Sequence, residues 1–189
     1  MTDKKDNIIA TASALMERQG YFGTGLNEII EESGAPKGSL YYYFPDGKDQ
    51  ITEEALRRIG EEVEANIRTT IERAEGPADA VSALAEVIAE RVEASDFAAG
   101  GPLTTVALET AAKNEQLRKA CDDIYDSWRI PFSEALRGAG LTEQRAQSLS
   151  YMILSALEGA IVLSRTSRSI EPLEAMAEEM SNLIGAAQQ

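Results

Sequence analysis

Apolar residues recur along this chain at the spacing of helices. Ile8, Ile9, Ala12, Leu15 and Met16 fall on one face of a first helix, which Gly20 ends, leaving Tyr21 and Phe22 to pack against its apolar end. Thr24 is placed to cap a second helix through Leu26, Ile29 and Ile30, stopping at Gly34. A short third helix runs roughly from Pro36 to Phe44, with its proline at an early position where a missing N–H costs no hydrogen bond. After the turn Pro45-Asp46-Gly47, with Asp46 a possible cap, Ile51, Ala55, Leu56, Ile59, Val63, Ile67 and Ile71 mark a longer helix up to Gly76-Pro77. Further helices are expected at about 77–94, 103–113, 115–138, 142–166 and 171–186, separated by glycine- and proline-containing breaks. No segment alternates with period two, so the expected fold class is all-α.

Composition narrows the chemistry. The 189 residues include one cysteine, Cys121, and no histidine. That excludes an intramolecular disulfide framework and removes the commonest acid/base group and metal ligand. No nucleophile–base pair is visible, so neither catalysis nor a metal or other cofactor is expected. Cys121 stands beside Asp122 and Asp123, which should raise its pKa and argue against a redox role. No apolar run follows Met1-Thr2-Asp3-Lys4-Lys5, and no apolar stretch reads as long enough to cross a bilayer. The expectation is a cytoplasmic protein with no membrane partner.

The net charge of −14 argues against nucleic acid until its distribution is considered. Residues 1–48 carry five Lys/Arg against seven Asp/Glu, so the remaining −12 lies beyond the first quarter of the chain. Between Ser33 and Pro45 there is one lysine and no acid. Phosphate binding needs a local positive face rather than a basic whole protein.

That acid-free stretch is the most informative in the sequence. Ser33-Gly34-Ala35 reads as the turn of a helix-turn-helix and the segment from Pro36 as its second helix, whose N-terminal residues approach base edges. Lys37 can neutralise a phosphate and Gly38 permits close backbone approach. Ser39, Tyr41, Tyr42 and Tyr43 offer hydroxyls to phosphates or bases, with ring faces for a thymine methyl. Three consecutive tyrosines sweep about 200° of a helix, so they cannot all be buried in so small a unit. Leu40 and Phe44, four apart, should face inward.

Together with Thr24-Gly25-Leu26-Asn27-Glu28-Ile29-Ile30, the run from Ser33 to Phe44 resembles the TetR family of transcriptional regulators. Phe44-Pro45-Asp46-Gly47-Lys48-Asp49-Gln50 is similar to the branch typified by the lincomycin-resistance repressor. So are Val106-Ala107-Leu108-Glu109 and the string from Ser155 to Arg165. The resemblance implies a homodimer with a three-helix DNA-binding domain at 1–47 and a helical ligand-binding and dimerisation domain at 48–189. Carried over by position, Thr24, Lys37, Gly38, Ser39, Tyr41, Tyr42, Tyr43 and Lys48 would contact DNA. Tyr43 departs from the histidine common there, and its hydroxyl can replace that residue's phosphate contact.

In the C-terminal half, Leu149, Ile153, Leu157, Ala160 and Ile161, with Met176, Met180, Leu183 and neighbouring small residues, form stripes that suit either the chain's own core or a partner. The resemblance favours a dimer interface, and two-fold symmetry then implies a palindromic operator. Phe97, Leu103, Val106, Leu108, Tyr125, Trp128, Phe132, Met152 and Ser155 are candidates to line a pocket for a largely apolar effector, with Glu109 offering a polar contact. The leading expectation is a ligand-responsive, DNA-binding repressor. The competing one is a helical small-molecule-binding or protein-interaction module that does not bind DNA.

Overall fold

A computed structural model describes residues 4–188, and helices with short turns account for nearly all of them. In chain order they are α1 (Lys4–Gly23), α2 (Leu26–Ser33), α3 (Lys37–Tyr43), α4 (Lys48–Arg73), α5 (Pro77–Ala94), α6 (Pro102–Thr110), α7 (Glu115–Gly138), α8 (Glu143–Ser167) and α9 (Glu171–Ala187). The all-α expectation holds, and most boundaries fall within a residue or two of those read from periodicity. The chain divides into two compact units: residues through Glu61 with Gly101–Ile124, and Glu62–Gly100 with the residues from Tyr125 onward. The divisions fall inside α4 and α7, so both helices contribute to each unit.

In the first unit α1 packs against α2, α3 and α6. Ile8, Ala12, Leu15 and Met16 of α1 are fully buried with Ile29, Leu40, Phe44 and Ile51. Each of these side chains larger than alanine contributes roughly 1.5–3 kcal/mol by leaving water. Gly20 breaks α1 as its sequence position suggests. Its φ of +75° is left-handed, and Tyr21–Gly23 form a further turn beyond the bend. Because of that bend, Thr24 is not the cap of α2. Gly25 is the N-cap, while Thr24 is buried and its hydroxyl donates to the Gly20 carbonyl at 2.8 Å. Later in this unit α4 and α7 approach closely: a Cβ on Gly60 would lie 2.8 Å from Ile124.

In the second unit α9 packs on α5 and α8, and α5 on α8. Val81, Leu149, Ile153, Leu157, Leu173 and Ile184 form much of its interior, with Ala89 and Ala160 set against Leu173. The Ser82 and Ser181 hydroxyls join α5 to α9 at 2.8 Å. Thr142 caps α8, accepting from the Arg145 N–H. By length and composition α8 is apolar enough to cross a bilayer, contrary to the sequence expectation. The reason is that α8 is apolar on two sides: one faces the interior, and the other carries exposed Tyr151, Met152, Val162 and Leu163.

Candidate nucleic-acid interface

The turn between α2 and α3 depends on Gly34, at φ +64°, whose N–H donates to the Glu31 carbonyl. The Ser33 hydroxyl accepts from the Ala35 N–H, and Pro36 precedes the first turn of α3. Leu40 and Phe44 are both fully buried and anchor one side of the helix, as their spacing implies. The opposite side is open to water. Tyr42 is 79% exposed and Tyr41 45%, while Tyr43 is half-buried and meets the Tyr42 ring edge-to-face at 5.2 Å. The Lys37 ammonium lies 6.0 Å from the Tyr41 ring centre, so charge and aromatic surface share one face. Gly38 is exposed, and a Cβ there would meet nothing within 4 Å. A glycine within a helix costs about 1 kcal/mol relative to alanine. The chain's own packing does not call for it.

At the start of α4 lies a polar cluster that the sequence did not reveal. The Tyr21 hydroxyl donates a short hydrogen bond to Asp49, which also accepts from the Asn114 side chain at 2.8 Å. Burial, reinforced by that bond and the Asp49 charge, pushes the Tyr21 phenol well above its ordinary pKa. Lys48 lies 4.0 Å above the Tyr21 ring. Burial lowers its pKa, against the pull of the Asp49 and Glu109 carboxylates. Lys48 is therefore partly withdrawn from water in the isolated chain.

Glu109 belongs to this cluster. Its carboxylate accepts from the Phe22 N–H at 2.9 Å and covers the Gly20 bend, where a Cβ would lie 2.3 Å from Oε1. It was expected in an effector pocket; the bend at Gly20 takes it up instead. Leu108 is likewise no wall of an interior cavity: it is 81% exposed, because α6 turns Leu103, Val106 and Thr110 inward and Leu108 the other way. In the second unit, α7 presents Tyr125 and Trp128 edge-to-face at 5.7 Å, with Trp128 and Phe132 buried. Phe97 sits in a loop with φ +61°, its carbonyl accepting from Arg165 Nε. Met152 and Ser155 are exposed on α8 rather than turned inward.

The residues expected at a dimer interface divide similarly. Leu149, Ile153, Leu157, Ala160 and Met180 are buried in their own unit and have little surface to offer a partner. Ile161 and Met176 are half-buried against the cluster around Ala160, and Leu183 is also half-buried. The outward side of α8 carries Tyr151, Met152, Ser155, Gly159, Val162 and Leu163. The helical period of those exposed positions could have located them, but two apolar sides of one helix cannot be ranked by periodicity alone. The Arg129 guanidinium stacks 4.4 Å from the Tyr151 ring at one end of this stripe.

Known proteins agree with this arrangement over almost the whole chain. The family model for bacterial regulatory proteins of the tetR family matches residues 8–55. The model for the C-terminal domain of LmrA/YxaF-like transcriptional regulators matches residues 77–179. The HTH-type transcriptional regulator LmrA of Bacillus subtilis (strain 168) is 39% identical over 90% of this chain and 91% of its own. The HTH-type transcriptional regulator YxaF of the same organism is 37% identical over 96% of this chain and 95% of its own. Among solved structures, reduced NemR of Escherichia coli superposes with a TM-score of 0.80 at 23% identity, over 95% of this chain and 96% of that one. A TetR regulator from Chloroflexus aurantiacus gives 0.81 at 24%, over 96% and 94%. At such identities the structures speak for the fold alone, but the matches in sequence go further: the chain belongs to the TetR family of transcriptional regulators, with a C-terminal domain of the LmrA/YxaF type.

Proposed function

We propose that this chain is a homodimeric repressor that grips a palindromic operator through α3 and releases it when a small, largely apolar effector binds the C-terminal domain. The observation that carries this reading is the acid-free surface of α3, where Lys37, Gly38, Tyr41 and Tyr42 are exposed and Ser39 and Tyr43 half-buried at its edges. Residues 1–47 form the DNA-binding domain, and 48–189 the effector and dimerisation domain. Lys48 adds a phosphate contact from the start of α4. Thr24, expected at the DNA, is buried with its hydroxyl on the Gly20 carbonyl and its N–H on the Tyr21 carbonyl, so it supports the motif from within.

The exposed side of α8 supports the dimer. Its aliphatic residues flank Ser155 and Gly159, and a Cβ on Gly159 would meet nothing within 4 Å. A second copy can therefore approach closely along this line. The aromatic group on α7, Tyr125 with Trp128 and Phe132, supports an apolar effector. Repression is favoured because relatives such as DhaR of Mycobacterium and NemR of Escherichia coli are named as transcriptional repressors. The protein then works in the cytoplasm, where its DNA lies.

Selection of bound duplexes from a random pool tests the proposal. The expected result is an enriched palindrome whose half-sites lie a whole number of helical turns apart. A pool without enrichment, from protein that is folded and dimeric, would overturn it.

A further inference from the structure

Tyr21 is held from three directions. Its phenol donates to Asp49 Oδ1 in the first turn of α4. The other oxygen of that carboxylate accepts from Asn114 Nδ2 at 2.8 Å, and Asn114 Oδ1 in turn accepts the Leu117 N–H at 3.1 Å at the start of α7. Within the α1 bend, the Tyr21 carbonyl accepts the Thr24 N–H at 3.2 Å, and the ring meets Phe22 edge-to-face at 5.2 Å. Over this fixed ring, 4.0 Å from its centre, stands the Lys48 ammonium. Lys48 begins α4, where the buried Thr52 hydroxyl donates to its carbonyl at 2.7 Å. Both ends of this lysine are therefore placed, although a flexible four-carbon stem joins them.

We infer that Tyr21 is a positioning residue for DNA binding: its ring holds the Lys48 ammonium ready for a phosphate at the start of α4. The inference rests on the proposed phosphate contact of Lys48. A lysine loses rotamer freedom when it grips a phosphate, and ordering it beforehand removes part of that cost. A ring face attracts an ammonium without neutralising it, as a carboxylate would, so the charge remains for the phosphate. The ring covers one side of a group that carries three donors. Asp49, adjacent in sequence, has both oxygens engaged by neutral donors, Tyr21 and Asn114.

The test uses the duplex enriched by the wild-type chain, titrated at several salt concentrations. Tyr21→Leu removes ring and phenol. It should weaken binding about two- to fivefold, the scale of one exposed cation–π contact, and lower the salt slope by up to about one. Tyr21→Phe keeps the ring and should recover most of the loss. In a Lys48→Ala background Tyr21→Leu should change nothing, because its effect passes through that lysine. A loss of equal size in that background would make Tyr21 a support for the motif as a whole and overturn the inference. Unchanged or tighter binding by Tyr21→Leu would also overturn it. So would a loss by Tyr21→Phe equal to that of Tyr21→Leu, which would put the effect in the Asp49 hydrogen bond. NMR of isotope-labelled lysines in the free wild-type chain needs no Tyr21 variant. The Lys48 ε-methylene protons, identified through Lys48→Arg, should lie furthest upfield of the lysine signals, because this ammonium stands nearest a ring centre. An undisplaced Lys48 signal would overturn the inference as well. Lys48→Ala and Tyr42→Ala separate the two levels. If both weaken binding while Tyr21→Leu does nothing, the DNA-binding reading stands and this inference falls. Wild-type binding by Lys48→Ala removes the phosphate contact and the inference with it, and wild-type binding by Tyr42→Ala means that the reading of α3 itself fails.

Discussion

Two faces of this chain expose large side chains to water, and they differ in kind. On α3 the exposed groups are phenols beside a lysine, with no acid among them. On α8 they are Met152, Val162 and Leu163 with Ser155 and Gly159 between, a mainly aliphatic strip with small gaps and with Tyr151, under the Arg129 guanidinium, at one end. A phenol ring can stack on or cover apolar surface while its hydroxyl reaches a phosphate or a base edge. An aliphatic strip gains only by excluding water, and a two-fold pairing with a second copy lets the same strip do so on both chains. Exposure alone would have made the faces equivalent; the chemistry of what is exposed is what the proposed function draws on in giving one to nucleic acid and the other to self-association.

The largest expected break in that contrast is Leu163→Asp. A carboxylate at an apolar interface loses hydration without a partner, so dimer affinity should fall by at least about a hundredfold. Sedimentation velocity reads the change, and because Leu163 is exposed in the isolated chain, helicity should persist. Lys37→Ala should have a smaller effect, weakening duplex binding several-fold and reducing the salt slope by about one, with the dimer untouched. Gly38→Ala sharpens the contrast through opposite signs. With open space around a new Cβ, thermal stability should rise by about 0.5–1 kcal/mol, while duplex affinity falls because the methyl stands where DNA approaches. A rise in both would mean that nothing docks against this side of α3. The smallest expectation concerns Cys121, buried on α7 with its thiol pushed up to about 11 by burial. Only the thiolate reacts, so at pH 8 native protein should resist a thiol-directed dye, and labelling should appear on unfolding.

These cases also show how much was legible in the sequence. Leu40 and Phe44 could be placed from their spacing alone, because a short helix with one apolar pair has only one way to face its neighbours. Helix ends were readable wherever glycine or proline forces them, as at Gly20, Gly34 and Gly76-Pro77. The cap of α2 was not, since the extra turn after Gly20 carries Thr24 back onto the Gly20 carbonyl. On α8 both apolar sides satisfy the same period, and only the positions of α5 and α9 reveal which side is inward. Glu109 was assigned to a pocket because its local surroundings are apolar; its partner, the Phe22 N–H, is distant in sequence and has no side-chain signature. For Cys121 the raised pKa was anticipated from its acidic neighbours, but burial is the cause.

The central claim is that the exposed tyrosines of α3 read DNA while α8 pairs the chains. Its most direct test is one sedimentation experiment on a fluorescent duplex enriched by the wild-type chain, repeated with Tyr42→Ala. The account predicts that the variant remains a dimer of unchanged helicity while the duplex stays free at concentrations where wild type saturates it. That is a loss of at least about tenfold for one stacked and hydrogen-bonded aromatic. Wild-type binding of the duplex by Tyr42→Ala would contradict the account.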